Sequence, residues 1–463
     1  MVHLKTLYAD WVICRVPPDI WRHIFGLSDE EFRVVQGVKS YATIMRLSHV
    51  CSCWRGIING APELWTQVDV HIDSWTPHVA PKKEMLSHIL ENSRNTPLTM
   101  SFEALGNSSD KLDRVLEVAE LFFGAVNRAK HLDLIDTCRF PFQKLEAEIQ
   151  ASPVLESLSI SLPYHDDHIV SIVSVLSRLW QPAPLLRSFA LTIGQLPLHH
   201  VKFLETQAFP FRQLTSLNVS SAITVDTFRY LLRLTPFVTT ATLPAPSNDP
   251  RSHIAVTMED MDLPRLKELT LRSAGTTSVD STYLLKFVNS PSLTTLRLIN
   301  DHGWTPLSFR SFLEKSRPCI EHLRLDILRS TDNERIACVR LLPFLRTLDL
   351  RTEPRTRTQP EIGSAFCAAM REWNASTQAF VLCPTLEMLT IDHTNLCDTT
   401  GTVFADMVED RWRRSLAAGK TFKLQMATRR DIRLDTSQER RRIYELMRLG
   451  LDVTLSMSGW TFD

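Results

Sequence analysis

Tyr164-His165-Asp166-Asp167-His168 is the densest run of side chains able to hold a metal ion. Two imidazoles and two carboxylates would supply a zinc-type site if three or four of them converged. Their place in the chain favours another role. They lie between a strand phrase at 155–160 and a helical stripe that starts near Ile169. Aspartates there cap the first free N–H groups of a helix and suit its dipole. No second Cys/His cluster stands at ligand spacing, so capping is the reading taken and no metal is expected. His199-His200 is a lone pair in a loop, structural or solvated. No G-x-S-x-G, H-E-x-x-H or Walker phrase occurs, and the expectation is a chain with no catalytic residues and no cofactor.

Composition narrows the field further. The 463 residues carry 52 Lys+Arg and 52 Asp+Glu, a formal net charge of zero. Such a balance gives no global pull toward nucleic acid or an acidic membrane, and neither is expected as a partner. Only 14 residues are glycine, about 3% against a usual frequency of roughly 7%, which leaves little for Gly-rich phosphate loops. The nine cysteines are scattered, odd in number and without a Cys-x-x-Cys pair, which points to reduced thiols inside a cell. Trp11-Val12-Ile13-Cys14 is too short for a signal h-region and has Asp10 beside it. No apolar run reaches the roughly 18 residues of a membrane span. Cytoplasmic or nuclear residence is the expectation.

What could position a binding surface is a repeat. The phrase L-x-x-L-x-L, or a close variant, runs as Leu155-Glu-Ser-Leu158-Ser-Ile160, Leu214-Thr-Ser-Leu217-Asn-Val219 and Leu266-Lys-Glu-Leu269-Thr-Leu271. It recurs as Leu293-Thr-Thr-Leu296-Arg-Leu298, Ile320-Glu-His-Leu323-Arg-Leu325, Leu345-Arg-Thr-Leu348-Asp-Leu350 and Leu386-Glu-Met-Leu389-Thr-Ile391. Weaker copies centre on Leu132, Phe189 and Ala241, and the steps from 132 to 348 average 27 residues. That period lies in the leucine-rich-repeat window.

L-x-L alternation is a short strand with one buried face. Between phrases the spacing turns helical, as at Val225, Phe228 and Leu232 before Pro236, and at Phe309, Phe312 and Leu313 before Pro318. Ile169, Val173 and Leu176 before Pro182, and Tyr283, Leu284, Phe287 and Val288 before Pro291, read the same way. Units of this kind bury their leucines only by stacking, which predicts a curved α/β solenoid with a parallel sheet inside and helices on the outer side. The Asn or Cys of the sharpest repeats is missing from the turn after each strand, so irregular curvature is expected. The step from 348 to 389 is longer and holds a polar loop, Glu353 to Pro360. Near the end, Thr436 and Glu439 have capping-box spacing ahead of Ile443, Leu446 and Met447, and 451–456 alternates as a last strand.

On the face opposite the leucines, the early units present Ser157, Ser159 and Ser161, while later ones present Arg272, Arg297, Arg324, Asp326, Asp349 and Arg351. The charged half is the expected surface for binding another protein, against the plain alternative of a solvated sheet face.

The N-terminal part is of another kind. Val16-Pro-Pro-Asp-Ile-Trp-Arg-His-Ile-Phe25 opens a helix with Ile20, Ile24 and Leu27 on one face. Ser28-Asp-Glu-Glu31 reads as the capped start of a short insertion holding Phe32 and Val35. Leu47, Val50, Cys51, Trp54, Ile57 and Ile58 form the stripe of a second helix, and Pro62-Glu-Leu-Trp65 begins a third element. Amphipathic helices of this sort could simply cap the repeat stack.

Pro-Pro, Ile-Phe, Val-Cys-x-x-Trp-Arg and Pro-x-Leu-Trp follow one another in the order of an F-box, and the segment resembles that family. Leu47-Ser-His-Val50-Cys51-Ser-Cys-Trp54-Arg55 and Pro62-Glu-Leu-Trp65 match closely, while Val16 stands for the usual leucine and Asp19 for the glutamate. A box followed by divergent leucine-rich repeats is similar to the F-box-like proteins of mushroom-forming fungi. The resemblance implies docking to a Skp-type adaptor and, through it, a cullin ubiquitin ligase. Val16, Pro17, Ile20, Ile24, Leu47, Val50 and Cys51 would then supply the adaptor contact or its support, with Trp54 in the box's own core.

The expected organisation is an extension at 1–15, the box at 16–66, the repeat solenoid at 67–435 and a capping helix and strand at 436–463. The expected role is a non-catalytic substrate receptor that holds a client protein on the solenoid. The alternatives are a repeat scaffold whose cap binds no adaptor, and a metal enzyme using 164–168.

Overall fold

The computed structural model describes residues 16–36, 40–73, 78–105, 112–137, 140–146, 148–162, 168–246, 260–273, 281–301, 305–327, 331–351, 362–392, 402–428 and 438–457. The chain forms two compact units, one ending at Leu214 and the other beginning at Thr215.

The first unit opens with helices Pro18–Gln36 (α1), Ser40–Ser48 (α2) and Ser52–Asn59 (α3) and a 3-10 turn at Pro62–Trp65. Strand Gln67–Asp73 (β1) follows, with His78–Ala80 (β2) folded back on it antiparallel. Leu98–Leu105 (β3), Ala129–Asp136 (β4), Ser157–Leu162 (β5) and Ser188–Ile193 (β6) then add in parallel. The register explains why the sequence pattern works. Val68, Met100, Leu132, Leu158 and Phe189 are partners across neighbouring strands, and all are buried. One row of leucine-type side chains becomes a continuous core, because each unit covers the apolar face of the next.

The second unit repeats the plan with strands Ser216–Val219 (β7), Thr240–Ala245 (β8), Glu268–Ser273 (β9), Thr295–Asp301 (β10) and His322–Ile327 (β11). Thr347–Asp349 (β12), Met388–Asp392 (β13), Lys423–Thr428 (β14) and Asp452–Met457 (β15) complete it, every pairing parallel. Leu217, Ala241, Leu269, Leu296, Leu323, Leu348, Leu389, Leu424 and Val453 form one ladder in strict register. Helices lie between the strands, among them Val225–Leu234, Pro306–Ser316, Asp332–Arg340, Ser364–Arg371, Val403–Ala417 and Gln438–Arg448.

A proline turn delivers seven of the strands. The first leucine-type residue of the phrase donates its N–H to the carbonyl three residues back: Leu155 to Ser152, Leu186 to Ala183, Val238 to Thr235, Leu266 to Leu263, Leu293 to Ser290, Leu345 to Leu342 and Leu386 to Cys383. Proline follows each accepting residue, at 153, 184, 236, 264, 291, 343 and 384, where its fixed φ suits the second position of a β-turn.

Some expectations need correction. The first helix does not stop for an insertion at Ser28; it runs unbroken to Gln36. The second helix divides at 49–51, where Cys51 takes an extended conformation (φ −156°) and its Sγ accepts the N–H of Trp54 at 3.4 Å. Glu439 reaches a neighbouring helix. Its two carboxylate oxygens accept the N–H groups of Phe404 at 3.0 Å and Ala405 at 2.8 Å, capping the neighbouring helix Val403–Ala417. Thr436 and the 353–360 loop lie outside the described residues. The step from 348 to 389 contains the helix Ser364–Arg371 and a two-stranded hairpin, Trp373–Asn374 with Ala379–Phe380.

Candidate docking surfaces

In the N-terminal segment, packing decides which side chains are left outside. Trp21 and Phe25 of α1 close on Trp54 of α3, with ring centroids 5.1 and 5.0 Å from it, and the first pair stacks at 5.7 Å. Trp65 is buried and donates its indole N–H to the Ile58 carbonyl at 2.9 Å. Arg55 ties the turn after α2 by donating Nε to the Ser48 carbonyl at 3.1 Å. Phe25, Ile44, Ile58 and Trp65 fill the interior.

With that interior closed, Ile20 (51% exposed), Ile24 (40%) and Leu27 (53%) form an i, i+4, i+7 stripe on the outside of α1, and Val50 in the turn is 59% exposed. The break at 49–51 is what turns Val50 outward. Among the other residues proposed from the sequence, Val16, Leu47 and Cys51 are half-buried and Pro17 is exposed. The Pro17 carbonyl accepts the N–H groups of Ile20 and Trp21, starting the helix, and Cys51 is an N-cap, so both also have a local structural role. Leu27 extends the exposed stripe by one turn beyond the contact residues that the resemblance implies.

In the second unit, eight neighbouring strands, β7 to β14, bring their polar positions to one cleft of about 700 Å³. The middle row across it reads Asn218, Thr242, Thr270, Arg297, Arg324, Asp349, Thr390 and Gln425, each paired in register with the next. Arg272, Arg297, Arg324, Asp349 and Arg351 all line it, as the alternation predicts. Asp326 is the correction: it is fully buried and is not part of the lining. Asp349 is also largely buried and already engaged. Arg351 donates its backbone N–H and Nε to Oδ1, both at 3.0 Å, and Nη2 to Oδ2 at 2.7 Å. This hydrogen bonding holds the Arg351 pKa above its ordinary value. Arg324 Nε stands 3.7 Å from the same carboxylate.

The first unit has a polar face that the leucine phrase did not reveal, because β1 and β3 lack it. Asp69, Ser101 and Asp133 are register partners there. His71 Nδ1 lies 2.6 Å from Glu103 Oε2. Burial raises the Asp133 pKa, with a Ser159 hydrogen bond opposing and the Glu103 charge adding.

The catalytic alternatives gain nothing. The 164–167 cluster lies outside the described residues, as does the side chain of His168. His199 and His200 sit in the first turn of the helix Leu198–Thr206, not in a loop, with rings edge to face at 4.3 Å and His200 buried. Among the described residues no group of three or more His, Cys, Asp or Glu side chains could hold a metal ion, and no helix is long and apolar enough to cross a membrane.

No family model and no curated protein matches the chain. Solved structures that match include the complex of Rad7 and Elc1 from yeast, with a TM-score of 0.41 and 14% identity over 85% of this chain and 92% of that one.

Proposed function

We propose that the chain is a non-catalytic substrate receptor of a cullin-type ubiquitin ligase in the cytoplasm or nucleus. The segment 16–66 docks on a Skp-type adaptor, and the cleft of the second unit holds the client protein. The mechanism is proximity: ubiquitin chemistry takes place on other subunits while this chain raises the local concentration of the client.

One observation supports the adaptor half above all. Ile20, Ile24, Leu27 and Val50 stay outside an interior that Trp21, Phe25 and Trp54 already fill. Already about half-buried, these side chains gain roughly half of the usual 1.5–3 kcal/mol, or about 1 kcal/mol each, when a partner buries them fully. Helix-in-groove docking uses anchors at this spacing.

The test is affinity capture of the intact chain with mass spectrometry, beside an Ile24→Asp variant. The reading expects a Skp-type adaptor with the intact chain and none with the variant. An adaptor recovered equally by both, or by neither, overturns it.

A further inference from the structure

We infer that the cleft of the second unit receives an acidic stretch of polypeptide, read through the carboxylates of successive Asp and Glu side chains. The inference rests on the client-docking half of the reading above and names the chemistry of what docks.

Charge in the cleft is sorted by depth. Arg272 and Arg297 are exposed, whereas Asp349 is buried and held by Arg351. Asp326 and Asp392, at the ends of β11 and β13, are buried as well. Glu268 is the one half-exposed acid among the lining residues. A visitor therefore meets guanidinium groups first, although the chain as a whole is neutral.

Arg297 and Arg324 are direct partners on adjacent parallel strands. Like charges so placed repel each other. Among the described residues the Arg297 side chain has no hydrogen-bond or ion-pair partner, and that of Arg324 has only the 3.7 Å approach to Asp349. The Nε–H of Arg324 is buried and finds no acceptor. A carboxylate entering between the two forks would accept from both and remove the repulsion. Threonines at 270, 295 and 390 and Gln425 add uncharged hydrogen-bonding groups around this pair.

The same lining argues against nucleic acid. It contains no Phe, Tyr or Trp among the described residues, and single strands bind largely by stacking bases on such rings.

The test is fluorescence anisotropy of labelled decaglutamate with the full-length chain. A Gly/Ser peptide of equal length, a phosphoserine peptide and decauridylate serve as comparisons. Saturable binding of decaglutamate and none of the Gly/Ser peptide is expected. Arg297→Glu and Arg324→Gln should each weaken it about tenfold or more, the effect of losing a charge-assisted pair. Arg310→Glu, on the exposed side of Pro306–Ser316, should leave it unchanged, with circular dichroism showing every variant folded. Absent binding, equal binding by Arg297→Glu, or preference for decauridylate or the phosphoserine peptide over decaglutamate overturns the inference. The adaptor takes no part in this measurement. A failure here with adaptor capture intact removes the acidic client alone, and loss of adaptor capture leaves peptide binding standing.

Discussion

Arg351 encloses Asp349 from both sides: its own backbone N–H and its Nε reach Oδ1, and its Nη2 reaches Oδ2 at 2.7 Å. Two residues on one strand and its exit thus neutralise each other within the cleft, and Asp349 is removed from the charge that a client would meet. The arginines of this face fall into two kinds, one built into the fold and one left open.

Stability separates the two kinds. Arg351→Ala leaves a buried carboxylate short of its donors and should cost about 1–3 kcal/mol. Arg297→Ala removes a side chain with no partner among the described residues and should stay within about 0.5 kcal/mol. Urea melts of the two variants check this; equal losses would contradict the division.

The second prediction concerns carboxylates that cap a neighbour's helix. Glu439→Ala strips acceptors from Phe404 and Ala405 and should destabilise by about 1–2 kcal/mol. Asp332 does the same for Gly363 and Phe366, at 3.2 and 3.1 Å, and it packs so closely on Gly363 that an added Cβ would collide with the carboxylate. Gly363→Ala should therefore lower the melting temperature. A melting temperature unchanged in both variants would refute the capping role.

Inside and outside of the N-terminal segment should behave oppositely. Phe25→Ala opens a cavity beside Trp21 and Trp54 and should cost about 3–5 kcal/mol. Ile20→Ser, on the outer stripe, should change stability by no more than about 0.5 kcal/mol. If thermal melts show Ile20→Ser to be as damaging as Phe25→Ala, the stripe is packed within the chain and is not a docking face.

Thiol chemistry gives a fourth check. Burial pushes Cys367 and Cys383 up to about 12, the latter against an opposing pull from Arg411, and raises Cys338 as well. A raised thiol pKa means less thiolate at a given pH, so at pH 8 only about one Cys383 in ten thousand is ionised. Iodoacetamide at pH 8 should modify exposed Cys319 and spare these three until the protein unfolds. Prompt labelling of Cys383 in the native state would contradict its burial.

The repeat was readable because each leucine does the same job in every unit. Leu269, Leu296, Leu323 and Leu348 share one register, so a period in sequence became a ladder in space. Val68, Val70 and Ile72 alternate equally well in β1 but lack the leading leucine, so the phrase does not mark β1, β3 or β14. The break at Cys51 was hidden because Leu47, Val50, Cys51 and Trp54 fit a helical stripe; a side-chain cap overrode the periodicity. Period two places Asp326 outward beside Arg324, yet it is buried; the pairing with the neighbouring strand shifts register at this point, between Leu298 and Asp301. That Glu439 also accepts from Phe404 and Ala405 of a neighbouring helix could not be read from its spacing, because tertiary packing sets it.

Hydrogen exchange of the intact chain, alone and with a purified Skp-type adaptor, tests the central claim most directly. Protection confined to the outer part of α1, 18–27, and the turn at 47–51 is the expected result. No complex, or protection that spares these segments and falls on the strands between 216 and 457, would contradict the assignment.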